Sequence, residues 1–151
     1  MSGLKIAKSS TWNLETMETY LRDSRLPCRL SCSTPSGHPH VMSLWFLYIK
    51  DKMYCSVQSK TKIIEWLLKN PKCGFEVSTN EPPYKGVRGR GEATILSSEE
   101  ENILPVLVDR YLGDCMSPLA SKLLARSETE MTIKINFNWL TSWDYTSRMA
   151  S

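Results

Sequence analysis

Apolar positions along this chain switch between two periods. Trp12, Leu14, Met17, Tyr20 and Leu21 recur at three- and four-residue intervals, the spacing of an amphipathic helix that Thr11 would cap and Pro27 would end. From there the period falls to two. Arg29 to Thr34 alternates, Pro35-Ser36-Gly37 makes a turn, and Val41 to Ile49 is almost wholly apolar. This predicts a hairpin whose second strand is covered on both faces by protein or ligand. Asp51-Lys52 turns the chain into a strand over Met53 to Val57, a helix runs from about Lys62 to Asn70-Pro71, and a strand follows from Cys73 to Ser78. Asn80 to Lys85, with Pro82 and Pro83, reads as a loop.

The second half repeats the alternation. Val87, Gly89, Gly91, Ala93 and Ile95 form a small, close-packing face opposite Arg88, Arg90, Glu92 and Thr94, and glycines on one face let something approach the backbone. Ser97-Ser98 with Glu100 and Glu101 is a capping-box pattern opening a helix, bent or restarted at Pro105, to about Leu112. Ser117-Pro118 opens another helix. Met131, Ile133, Ile135 and Phe137 then alternate with Thr132, Lys134 and Asn136, the clearest strand in the chain. The tail from Asn138 to Tyr145, with Trp139 and Trp143, is too aromatic for a loose terminus and should dock. Six strands with intervening helices and no strand–helix–strand repeat predict a mainly β fold, an antiparallel barrel with flanking α-helices.

The 151 residues predict a single domain spanning 1–151, long enough to bury roughly 68–70% of its unfolded surface. The formal charge of +3, from 19 Lys+Arg against 16 Asp+Glu, is spread without blocks, which excludes a dedicated nucleic-acid binder and leaves room for a local anion site. Cys28, Cys32, Cys55, Cys73 and Cys115 are an odd set without a CxxC pair, and no secretory leader is visible, so reduced thiols and a cytoplasmic location are expected. Cys28 and Cys32 with His38 and His40 match no common zinc spacing, and no metal site is expected. No run approaches the roughly 20 apolar residues of a membrane span.

The candidate chemistry lies between the strand Met53–Val57 and the helix from Lys62. Gln58-Ser59-Lys60-Thr61-Lys62 gathers hydroxyls and ammonium groups at a helix start, where free N–H groups and the positive end of the dipole favour an anion, a phosphate above all. The same residues also read as a solvated cap. Two lysines weigh against that second reading, since a cation at a helix N-terminus opposes the dipole by about 0.3–1 kcal/mol. Arg88 and Arg90 read equally as surface ion-pair partners and as contacts to an anionic ligand. No Ser-His-Asp or Cys-His pattern appears, and His38 and His40 flank a turn.

The ordered set Arg29-Leu30-Ser31-Cys32-Ser33-Thr34, Gly37, Pro39-His40-Val41, Ser43-Leu44-Trp45-Phe46, the Ser/Lys segment, Asn70-Pro71, and Pro83-Tyr84-Lys85-Gly86-Val87 before Gly91-Glu92-Ala93 resembles the pyridoxamine 5′-phosphate oxidase-like family of FMN-binding split barrels. The resemblance spans about residues 12 to 148. It implies a six-stranded antiparallel split β-barrel and FMN at the interface of a homodimer. Ser56, Lys60, Thr61 and Lys62 would hold the phosphate. Val41, Met42, Ser43, Leu44 and Trp45 would line the ring, Cys55 would lie beside the ribityl chain, and Trp143 would reach the flavin of the other subunit. The chain lacks an Arg beside the phosphate lysines and the C-terminal Arg-x-His element of the true oxidases, which argues against oxidation of pyridoxamine phosphate. The resemblance implies an oxidoreductase acting on another small molecule. A reductase using the deazaflavin F420 and a non-catalytic flavin-binding module are the alternatives.

Overall fold

The computed structural model describes residues 3–113 and 116–150, so Cys115 lies outside the described residues. In chain order the elements are β1 (Lys5–Ile6), α1 (Leu14–Asp23), β2 (Cys28–Ser33), β3 (Pro39–Leu44), β4 (Phe46–Ile49), β5 (Lys52–Gln58), α2 (Lys62–Lys69), β6 (Lys72–Ser78), β7 (Lys85–Ser97), α3 (Leu104–Leu112), α4 (Pro118–Leu124), β8 (Glu130–Asp144) and α5 (Thr146–Met149). Strands run antiparallel in the order β3-β2-β6-β7-β8-β5-β4, and β1 adds a short parallel pairing to β8. The end strands β3 and β4 are consecutive in the chain with only Trp45 between them. The sheet therefore curls until its edges meet at that residue. β3 and β4 do not pair with each other, which leaves the barrel split.

The strand count exceeds the expected six because the apolar run Val41–Ile49 breaks at Trp45 and β1 joins the sheet. Tyr111 of α3 stabilises the break. Its hydroxyl accepts from the Phe46 N–H at 3.1 Å and donates to the Leu26 carbonyl at 3.0 Å, and its ring stacks on Trp45 with centroids 5.0 Å apart. The outer face of β3 is open within the single chain, with Val41 62% exposed, so the expected cover of that face by protein or ligand is not supplied by the chain's own elements. Lys50 and Asp51 close the β4–β5 hairpin with positive φ at both, the conformation that matches strand twist in a two-residue loop.

Phe46, Leu30, Met53, Ile133, Ile135 and Leu140 fill the curl, with Met17 and Leu21 of α1 and Ile63 and Leu67 of α2 in the same cluster. Full burial of each such side chain is worth about 1.5–3 kcal/mol. Asn13, not Thr11, caps α1: its Oδ1 accepts from the Thr16 N–H at 2.9 Å. Ser97 and Glu100 form the reciprocal capping-box bonds at 3.1 and 3.3 Å. They close only a turn, and α3 begins later at Leu104 with Pro105 in its first turn. Leu104 and Val108 of α3 pack on Ala120 of α4, with Trp45 against the same cluster.

β8 runs 15 residues and includes the aromatic tail. Gly91 pairs with Phe137 but Arg90 with Trp139, so Asn138 is an extra residue on β8. This bulge shifts the phase. Ile133 and Ile135 point inward before it and Leu140 and Ser142 after it, which turns Trp139 and Trp143 outward.

Cys28, Cys32, Cys55 and Cys73 are all buried free thiols, with Cys28 Sγ 3.7 Å from Cys55 Sγ. Its hydrogen bond with Cys28 and burial push the Cys55 thiol well above its usual value, and burial pushes Cys73 up to about 12. At pH 8 Cys55 and Cys73 are protonated, and the thiolate is the nucleophile; Cys28 and Cys32 are shielded by burial. Alkylation of native protein at pH 8 is expected to spare all four, as peptide mapping would show; labelling of any of them before denaturant is added would mean that the core opens. Among the described residues no His/Cys/Asp/Glu group is placed to hold a metal ion, and no helix is long and apolar enough to cross a membrane.

Candidate functional site

β5 exposes alternate side chains to the two sides of the sheet. Met53, Cys55 and Val57 enter the core, while Ser56 and Gln58 point out. β8 pairs Thr132 with Ser56 and Glu130 with Gln58, so the first turn of that strand faces the same side. The α3–α4 pair lies over this outer surface, leaving a cleft of about 400 Å³. Ser43, Leu44 and Trp45 form one wall, Ser56 and Glu130 the base, and Leu104, Leu107, Leu119 and Leu123 the cover. The cleft is apolar and aromatic at the Trp45 end and polar at Glu130. Its size falls within the range of small-molecule sites.

Glu130 is only 9% exposed, and its two oxygens accept from Ser56 Oγ and Gln58 Nε2, each at 2.9 Å. Among the described residues no Lys or Arg forms an ion pair with it. The Ser56 proton is thereby engaged, and Ser56 presents lone pairs to the cleft. A phosphate needs donors, and a nearly buried carboxylate repels it, so this arrangement does not suit Ser56 to hold a phosphate.

β5 runs on into the start of α2. Thr61 occupies the cap position but makes no side-chain cap bond, so the first-turn N–H groups ahead of Ile64, which donates to the Thr61 carbonyl at 3.1 Å, keep their capacity for an outside acceptor. Lys60 and Lys62 are exposed beside it. Lys62 Nζ is 3.6 Å from Glu65 Oε2 in an exposed pair, an interaction worth about 0–1 kcal/mol that an anion displaces readily.

The residues singled out from sequence therefore separate into groups. Ser43, Leu44, Trp45 and Ser56 share the cleft, and Lys60, Thr61 and Lys62 gather at the α2 start. Met42 packs against the core, and the Cys55 side chain is fully buried in it, so Cys55 offers a ribityl chain only its backbone. Val41 faces a different hollow of about 610 Å³ with Arg29, Gly74, Arg90 and Trp139. Trp143 lines a third, polar hollow with Ser9, Thr11 and Arg88. Arg88 donates to Glu76 Oε2 through Nε and Nη2 at 3.1 and 3.0 Å and lies 4.6 Å over Trp143, while Arg90 lies 4.0 Å over Trp139. His38 bonds Ser36 at 3.0 Å and His40 packs on Trp66.

Glu130 and the α3–α4 leucines went unrecognised in the sequence. The available signal for Glu130 was phase: it stands two residues before Thr132, opposite the Ile133 and Ile135 face. Nothing in the local sequence marks that face as covered.

No family model matches the sequence, and no curated protein matches it. Solved structures do match in fold. A conserved hypothetical protein from Mycobacterium tuberculosis aligns with TM-score 0.78 and 18% identity over 97% of this chain and 94% of its own. A protein described as an F420 reductase aligns with TM-score 0.64 and 23% identity over 80% of this chain and 93% of its own. A FAD-binding protein from Mesorhizobium loti aligns with TM-score 0.61 and 18% identity, covering 87% and 94%.

Proposed function

This chain has the split-barrel fold of the pyridoxamine 5′-phosphate oxidase-like proteins, and we propose that it is a cytoplasmic, FMN-binding oxidoreductase acting as a homodimer on a small molecule. The observation that carries this reading is the convergence of Ser43, Leu44, Trp45 and Ser56 on one cleft whose β5 wall leads within four residues to the uncapped start of α2. The residues fit such a cofactor. An apolar cleft walled by Trp45 suits a flat ring, and uncapped N–H groups with two exposed ammonium groups suit an anionic tail. F420 is the second reading, favoured by the likeness to the F420 reductase.

When bound, a flavin supplies hydride-transfer chemistry of its own. The chain's task is to bind, orient and keep water out. Lys60, Lys62 and the α2 N–H groups hold the phosphate. Trp45, held flat by Tyr111, supports the ring, and Leu104, Leu107, Leu119 and Leu123 shield it. The exposed outer face of β3 and the outward Trp143 are the surfaces on which a second subunit would complete the pocket.

Titration with FMN and with F420, followed by release and mass measurement of the retained ligand, tests the reading. Flavin absorbance that stays with the protein after free ligand is removed marks bound FMN. Retention of neither overturns the assignment, and retention without turnover of a nicotinamide donor reduces the protein to a flavin-binding module. Lys62→Ala is expected to weaken FMN roughly tenfold, about 1.4 kcal/mol, with riboflavin affinity and the unfolding midpoint unchanged. Equal FMN affinity in the variant removes Lys62 from the site. Sedimentation at micromolar concentration should give a dimer mass.

A further inference from the structure

A nearly buried carboxylate without a cationic partner is expensive to keep charged unless donors surround it. Glu130 has two donors, Ser56 and Gln58, each on a different oxygen. A carboxylate offers about four lone-pair sites, and Glu130 lines the cleft, so acceptor capacity remains on the ligand side. Ser56, with its proton engaged by Glu130, adds another acceptor. The base of the cleft is thus a patch of acceptors, and the ligand part that lies on it must donate.

Two kinds of donor meet that requirement, a hydroxyl chain and a cation. The order of groups along β5 decides between them. Phe46 pairs with Cys55, so Trp45 lies level with Ser56; Gln58 pairs with Glu130 two residues on; Lys60 and Lys62 follow. The sequence of chemistry is aromatic wall, acceptor patch, ammonium pair. A cationic ligand group on the patch would be followed along the chain by two ammonium groups of like charge. A molecule built as flat ring, polyhydroxyl chain and terminal phosphate matches all three in order.

Building on the flavin reading above, we propose that Glu130, held by Ser56 and Gln58, is the specificity-determining acceptor for the cofactor's ribityl hydroxyls. It also keeps the phosphate off Ser56 and confines it to Lys60, Lys62 and the α2 start. FMN and F420 share a ribityl chain between ring and phosphate, so the assignment is the same for either cofactor.

The test is fluorescence titration of FMN, riboflavin and lumiflavin, a flavin ring without the hydroxyl chain, into wild type, Glu130→Ala and Glu130→Gln at one ionic strength. Wild type should prefer riboflavin to lumiflavin by at least ~10-fold. Glu130→Ala should bring that ratio close to one with lumiflavin affinity unchanged, and Glu130→Gln, whose amide oxygen still accepts, should keep part of it. Should Glu130→Ala fail to fold, the partial loss in Glu130→Gln carries the test. A ratio unchanged in both variants overturns the proposal, as does a rise in FMN affinity alone, which would make Glu130 a mere repulsive neighbour. Wild type that binds none of the three overturns both this proposal and the flavin reading, whereas binding with an unaltered ratio overturns this proposal only.

Discussion

Gly91→Ala is expected to destabilise the protein by about 3–5 kcal/mol, a large part of the 5–15 kcal/mol typical of a domain. A Cβ at this position would stand 2.1 Å from the Asn136 carbonyl oxygen and 2.8 Å from its carbon. Both atoms are backbone, so no side-chain rotation relieves the clash. β7 and β8 would have to part at the bulge, where Arg90 and Gly91 already change register. Gly89 is less demanding, because its Cβ would meet the ring of Phe75 and the tip of Leu140, both of which can move. Gly74 is the control: its Cβ would meet only the Gly89 oxygen, at 3.5 Å. Gly74→Ala should therefore be neutral or stabilise by up to about 1 kcal/mol, since glycine is costly inside a strand. Urea midpoints of the three proteins measure this. A Gly91→Ala midpoint within 1 kcal/mol of wild type would show that β7 and β8 do not approach so closely.

Arg110→Ala should remove about 3 kcal/mol, the second large loss. The guanidinium of Arg110, on α3, donates to the carbonyls of Arg22 at 2.7 Å and Leu21 at 3.0 Å, and also to that of Ser24. It lies 5.0 Å over the Phe46 ring. The last carbonyls of a helix lack intrahelical donors, and here α3 supplies them to α1 from 88 residues further along the chain. Hydrogen bonds from a charged donor are worth about 1.5–3 kcal/mol. Arg110→Lys should recover only part of the loss, because an ammonium group lacks the planar fork. Chemical denaturation gives the magnitude. Amide exchange should quicken in the last turn of α1 before it does in α2; equal protection of that turn in the variant would rule out the capping role.

Arg110 also shows where sequence reading stops. Its neighbours Leu107 and Val108 announce a helix, but nothing local says which distant carbonyls the guanidinium will reach. Local period located α2 and α4 well, because Asn70-Pro71 and Ser117-Pro118 act through backbone chemistry that the residues carry themselves. The alternation from Met131 to Phe137 was equally plain. It hid the extent of β8, because the extra residue Asn138 reverses the phase and Trp139 to Trp143 no longer continue the pattern. The break at Trp45 was hidden for a similar reason: an apolar run looks continuous, and the hydroxyl that takes up the Phe46 amide belongs to Tyr111.

The site divides the same way. The lysines at the α2 start were readable because helix ends have fixed chemistry. The resemblance assigned Ser43, Leu44 and Trp45 to a ring and Ser56 to a phosphate, and the structure lines one cleft with all four. Strand parity alone would have sent Cys55 inward beside Met53 and Val57. Glu130 was illegible because its burial depends on the α3–α4 cover, inserted between β7 and β8.

Trp45 has two duties that cannot be separated. It is the stitch between the first and last staves of the sheet, and it is a wall of the chamber under α3. A guest pressed against its ring also clamps the seam, and anything that loosens the seam widens the chamber. A molecule bound in that chamber would, by that construction, fasten the barrel as well as occupy it.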